Sequence, residues 1–137
     1  METTNIEDCY IIEIDKIEDS RGNLSVIEKD IIPFSIKRVY YLYDVPSSSY
    51  RGGHAHKKLY QFLIPLSGSF DVHLNDGNSK KIITLNKPNK GLLIVPGIWR
   101  ELNNFSSGAV CLVIASEVFC EMDYIRDYLK FVSFKKG

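Results

Sequence analysis

Turn signals cut this chain at intervals of about 8–12 residues, and between them lie short runs rich in Val, Ile, Leu, Tyr and Phe. Asp19-Ser20-Arg21-Gly22-Asn23, Ser67-Gly68, Asn75-Asp76-Gly77-Asn78, Pro96-Gly97 and 103–108 are the clearest breaks. Gly and Asn tolerate positive φ there, while Asp and Ser side chains bond to nearby backbone, so each cluster reverses the chain. The runs between them, 9–14, 24–28, 37–43, 51–56, 61–66, 69–74, 80–85, 92–95, 99–102 and 109–118, read as strands. Pro33 keeps 31–34 out of a central ladder. Only the tail shows three- and four-residue apolar spacing, which predicts a helix over 124–131 capped by Asp123. About ten short strands and one terminal helix predict an all-β sandwich or barrel.

A chain of 137 residues with 45% hydrophobic and 12% aromatic content is expected to form one domain over 1–137. Lys+Arg and Asp+Glu both number 17, so the net charge is zero and gives no support to nucleic-acid or membrane-surface binding. A local basic patch could still hold a phosphorylated small molecule. No apolar run approaches the roughly 20 residues needed to span a bilayer. The acidic N-terminus lacks the basic region of a signal peptide, so a cytoplasmic location is expected. Cys9, Cys111 and Cys120 have no metal-ligand spacing, and buried free thiols are their simplest reading.

Two of the three histidines lie in Arg51-Gly52-Gly53-His54-Ala55-His56. In an extended segment His54 and His56 share a face, with Cα atoms roughly 6.6 Å apart. Two imidazoles that titrate near neutral pH would then face one cavity, with an arginine at its rim. The third, His73, lies close to the Asp76-Gly77 turn and reads as surface.

The spacing resembles that of the cupins, small jelly-roll β-barrels. Their first motif is His-x-His, three or four residues, Glu, six residues and Gly; here His54-Ala55-His56 is followed by four residues, Gln61, six more and Gly68. The second motif, Pro and Gly before a His with Asn four residues beyond it, is matched by Pro96-Gly97, Arg100 and Asn104. The chain departs from the usual metal set at two positions, where Gln61 replaces Glu and Arg100 replaces His. A guanidinium offers no electron pair to a metal, so no metal is expected.

Asp19-Ser20-Arg21-Gly22 and Arg51-Gly52-Gly53-His54 resemble pieces of the sugar-nucleotide 3,5-epimerases. Residues 36–41, 51–59 and 123–126 resemble more closely the dTDP-4-keto-6-deoxyglucose 3,4-ketoisomerases. That resemblance implies transfer of the ketone from C4 to C3 through an enediol, with no cofactor, toward a 3-amino-3,6-dideoxy sugar of a surface glycan. It implies His54 and His56 as the catalytic acid/base pair, with their division of labour left open. Arg51 and Arg21 are the candidates for the pyrophosphate, whose oxygens fit planar guanidinium forks. Tyr40 and Arg100 are candidates for the sugar. The resemblance also implies a homodimer with exchanged N-terminal strands, which would carry Arg21 to the partner's site. A 3,5-epimerase on the same substrate and a non-catalytic sugar-binding cupin are the alternatives.

Overall fold

The computed structural model describes residues 3–49 and 51–137, and among these are twelve strands and one α-helix. One five-stranded sheet has the order β1 (Tyr10–Glu13), β9 (Lys90–Ile94), β6 (Gln61–Ser67), β11 (Val110–Ala115) and β4 (Arg38–Leu42). The other has the order β12 (Tyr124–Ile125), β5 (Arg51–His56), β10 (Trp99–Asn103), β7 (Phe70–Asn75) and β8 (Lys80–Leu85). All pairings are antiparallel, and neighbours in space are mostly distant in sequence, as in a jelly roll. The all-β barrel read from the turn cadence is the observed fold.

Residue alternation explains how the sheets close on each other. Leu63, Leu92 and Val113 from one sheet join Phe70, Val72, Leu74 and Leu102 from the other in one buried cluster. Phe62 and Ile64, on the alternate positions of β6, are also buried, with Ile27 and Phe34 from the 25–36 connection in the same cluster. Coverage of both faces explains why 61–66 reads as a continuous apolar run rather than an alternating one. Trp99 and Phe131 form a second cluster with Ala55 and Ile125, which seats the C-terminal helix α1 (Tyr128–Lys136). Burying each such aromatic contributes about 1.5–3 kcal/mol.

Three expectations need correction. The helix begins at Tyr128, with the Asp127 carboxylate accepting the Lys130 N–H at 3.0 Å. Residues 124–125 instead form β12, because their backbone pairs with Ala55 and His56. The expected strand at 24–28 keeps only Leu24: 25–28 are in no strand, and β3 (Gly22–Leu24) forms a hairpin with β2 (Ile17–Asp19), whose strands pair only with each other and are exposed throughout. Cys9 and Cys111 are buried thiols, whereas Cys120 is exposed in the link to β12.

Candidate active site

A cavity of about 520 Å³ opens between β4, β6 and β11 on one side and β5, β10 and β12 on the other. Strand β4 contributes Arg38, Tyr40 and Leu42, its inward alternate positions. On β10 the inward positions are Arg100 and Leu102.

Strand β5 does not alternate regularly. Arg100 pairs with His54, but Glu101 pairs with Gly52, so Gly53 is an extra residue and the ladder bulges there. Gly53 has φ 55°, a left-handed conformation that glycine adopts without a Cβ penalty. The shift places Arg51 opposite Leu102, on the same face as His54, although they are three residues apart. Arg51 and His54 therefore line one cavity. Strict alternation would have sent them to opposite faces.

His54 and His56 share a face, their rings edge to face with centroids 4.8 Å apart. Tyr124 packs against both, at 5.0 and 4.3 Å. His54 lines the cavity, while His56 is fully buried beside it. The His56 Nδ1 lies 3.0 Å from Asp123 Oδ2, and Asp123 Oδ1 accepts the Lys58 backbone N–H at 2.8 Å. Burial foremost, then the charges of Arg100 and His54, push the His56 pKa down to about 2. A neutral ring whose Nδ1–H is donated to Asp123 carries its lone pair on Nε2, and that buried atom has no hydrogen-bond partner among the described residues.

Arg100 is wholly buried. Its Nε donates to the Ile98 carbonyl at 3.1 Å and its Nη1 to Gln61 Oε1 at 2.6 Å. Gln61 Nε2 donates onward to the Tyr40 hydroxyl at 3.1 Å. Desolvation brings Arg100 down to about 10, so it stays cationic at neutral pH. Desolvation also raises the Tyr40 pKa and keeps the phenol protonated. The Arg38 guanidinium lies 4.5 Å over the Tyr40 ring. Among the described residues Arg38 Nη1 and Arg100 Nη2 are buried donors without hydrogen-bond partners.

Arg21 is not at this cavity within the chain. It sits on the β2–β3 turn, bonded to Asp19 at 2.8 Å, with its side chain 88% exposed. His73 is half-buried away from the cavity and bonds Asn103 at 2.8 Å. Sequence reasoning gave no role in the site to Arg38, Tyr124 and Arg126, which line the cavity, or to Asp123, which holds His56 beside it. The alternation Arg38-x-Tyr40 on the strand read at 37–43 could have found the first. The resemblance at 123–126 marked the stretch of the others without a role in the site, because that role depends on β12 pairing with β5. Arg126 lies 4.0 Å over the Tyr124 ring and pairs with Glu121 at 2.7 Å.

The donor set does not suit the divalent cation typical of the fold. Gln61 Oε1 is taken by Nη1 of Arg100, a permanent cation with no lone pair to offer a metal. Among the described residues no three His, Cys, Asp or Glu side chains cluster as ligands.

A jelly-roll cavity lined by an imidazole backed by a carboxylate-anchored neutral one, with buried guanidinium donors, defines a cupin equipped for acid–base chemistry on an anionic substrate. The family described as FdtA, WxcM-like, C-terminal, matches residues 7–136, and the chain belongs to that family. It is 51% identical over 122 residues, 88% of each chain, to a TDP-4-oxo-6-deoxy-alpha-D-glucose-3,4-oxoisomerase of Aneurinibacillus thermoaerophilus. It superposes with TM-score 0.93 on a 3,4-ketoisomerase from Helicobacter canadensis, at 47% identity over 95% of this chain and 98% of that one. The sugar 3,4-ketoisomerase QdtA from Thermoanaerobacterium thermosaccharolyticum, solved with TDP, gives TM-score 0.94 and 44% identity over 96% and 97%. A 3,5-epimerase from Bacillus anthracis, 15% identical, shares the fold alone.

Proposed function

We propose that this chain is an isomerase that moves the ketone of a dTDP-linked 4-keto-6-deoxyglucose from C4 to C3, acting as one cupin domain over 1–137. The observation that carries this reading is the pairing of His54, at the cavity, with a neutral His56 anchored by Asp123. The activities of its oxoisomerase and ketoisomerase relatives support it. Loss of the C3 proton is made easy by the adjacent ketone, because the charge spreads onto O4. His54 takes that proton and becomes imidazolium. The enediolate oxygen meets donors from Arg100 and Tyr40. His56 moves the O3 proton toward O4, and His54 returns a proton to C4, which leaves the ketone at C3. No net oxidation occurs, since the two carbons exchange oxidation levels.

Arg51 holds the pyrophosphate at the cavity rim, and Arg21 does so from a second subunit. The exposed β2–β3 hairpin supports this homodimer, because a two-stranded hairpin with Ile17 and Leu24 in water is marginal alone. A cytoplasmic setting and a product aminated toward a 3-amino-3,6-dideoxy sugar complete the reading. No helix of the described residues is long and apolar enough to cross a membrane.

Proton NMR on dTDP-4-keto-6-deoxyglucose in deuterated water tests the proposal. A 3-keto product with deuterium at C4 is expected; reprotonation at C3 and C5 with the ketone unmoved would make the chain an epimerase. Binding without exchange would make it a sugar-binding module. His54→Asn should abolish turnover and exchange while leaving dTDP binding intact, and His56→Asn should be severely impaired.

A further inference from the structure

The chain has an amide where the first cupin motif carries a carboxylate, and the hydrogen bonds around it have a direction. A guanidinium only donates, so the Gln61 atom 2.6 Å from Arg100 Nη1 is the oxygen. The other end of the amide is then NH2, which only donates, and 3.1 Å away stands the Tyr40 hydroxyl. Tyr40 must accept there, and its single proton points elsewhere. No other described residue accepts that proton, and the nearby Arg38 offers only donors. Resting on the ketoisomerase reading above, we propose that Gln61 is a positioning residue: gripped by Arg100, it turns the Tyr40 hydroxyl into an obligatory donor to the substrate oxygen that becomes negative. No proton changes owner in this step; a hydrogen bond tightens as charge develops.

A glutamate at this position would reverse the chain. Its carboxylate would accept from Arg100 and from Tyr40 alike, and the phenol would present only lone pairs to the enediolate. Arg100 Nη2 and Arg38 Nη1, buried at the same cavity without hydrogen-bond partners among the described residues, would remain as donors, so binding would survive better than turnover.

The test compares Q61E, Y40F and the double variant with the wild type. Q61E and Y40F should each lose about a hundredfold in kcat, the cost of one donor to a developing oxyanion, with KM little changed. The double variant should fall no lower than the worse single one. Turnover of Q61E near the wild-type rate, or losses that multiply, would overturn the proposal. Should Q61E melt below the assay temperature, Q61M serves: it frees the Tyr40 rotor, so Y40F should cost less in that background, and an equal cost in both would refute the idea. An activity-free readout separates this inference from the reaction assignment. In 13C NMR of labelled tyrosine, Q61E should move the Tyr40 titration to higher pH, since it replaces a donor with a negative charge; an unmoved titration would count against it whatever the product.

Discussion

Asp123 holds three parts of the site together through one side chain and one carbonyl. Its carboxylate spans His56 Nδ1 and the Lys58 N–H, and its carbonyl accepts the Lys57 N–H at 3.0 Å. The sequence suggested Asp123 as a helix cap, a fair reading of Asp before an apolar period, but Asp127 performs that task and frees Asp123. In Asp123→Asn the oxygen must stay with Lys58, so the amide NH2 would face His56 Nδ1 and drive the ring to the Nε2–H tautomer. A kcat loss of about a hundredfold is expected, with the change visible in 15N NMR of His56; an unchanged tautomer would refute the account. The same burial gives a pH effect on stability. The folded-state pKa of His56 lies below its unfolded value, so the unfolded chain binds the proton first and stability is lost as pH falls below about 6.5. The loss should run near 1.4 kcal/mol per pH unit, measured by urea unfolding from pH 7 to 5, and His56→Asn should flatten it.

At the scale of the element, β5 shows where sequence periodicity holds and where it stops. Period-two alternation correctly put His54 and His56 on one face, but it could not foresee that an extra residue would bring Arg51 there too. The Gly52-Gly53 pair hinted at a bend without saying which residue would be unpaired. Deleting Gly53 should leave Arg51 two positions before His54 in a regular ladder and so still inward, whereas Arg51→Ala should lower dTDP affinity about tenfold or more for the loss of a charge-assisted contact; calorimetry with unchanged affinity would show that Arg51 does not hold the phosphates. Gly91 on β9 is fixed by space instead, because a Cβ there would strike the Phe62 ring. Gly91→Ala should cost about 1–3 kcal/mol of stability with little effect on kcat in the folded fraction, read from parallel melting and rate measurements.

For the whole molecule, strand-forming residues and turn chemistry made the barrel legible, and motif spacing from 54 to 104 placed its cavity. What stayed hidden were relations between segments far apart in sequence: Asp123 on His56, Tyr124 on both histidines, and the hairpin carrying Arg21 away from its own cavity. The hairpin predicts a dimer by light scattering, shifted toward monomer by Ile17→Lys with Leu24→Lys; a wild-type monomer would remove Arg21 from the site. The placement of β12 also sets an order of events. It follows every other strand in the chain, yet it supplies the ring packed on both histidines, and Asp123 just before it supplies the carboxylate behind one of them. During synthesis on the ribosome the barrel wall can assemble around an incomplete centre, so proton-transfer competence arrives only with the last strand, and stalled or clipped chains ending before it should fold in part yet stay silent.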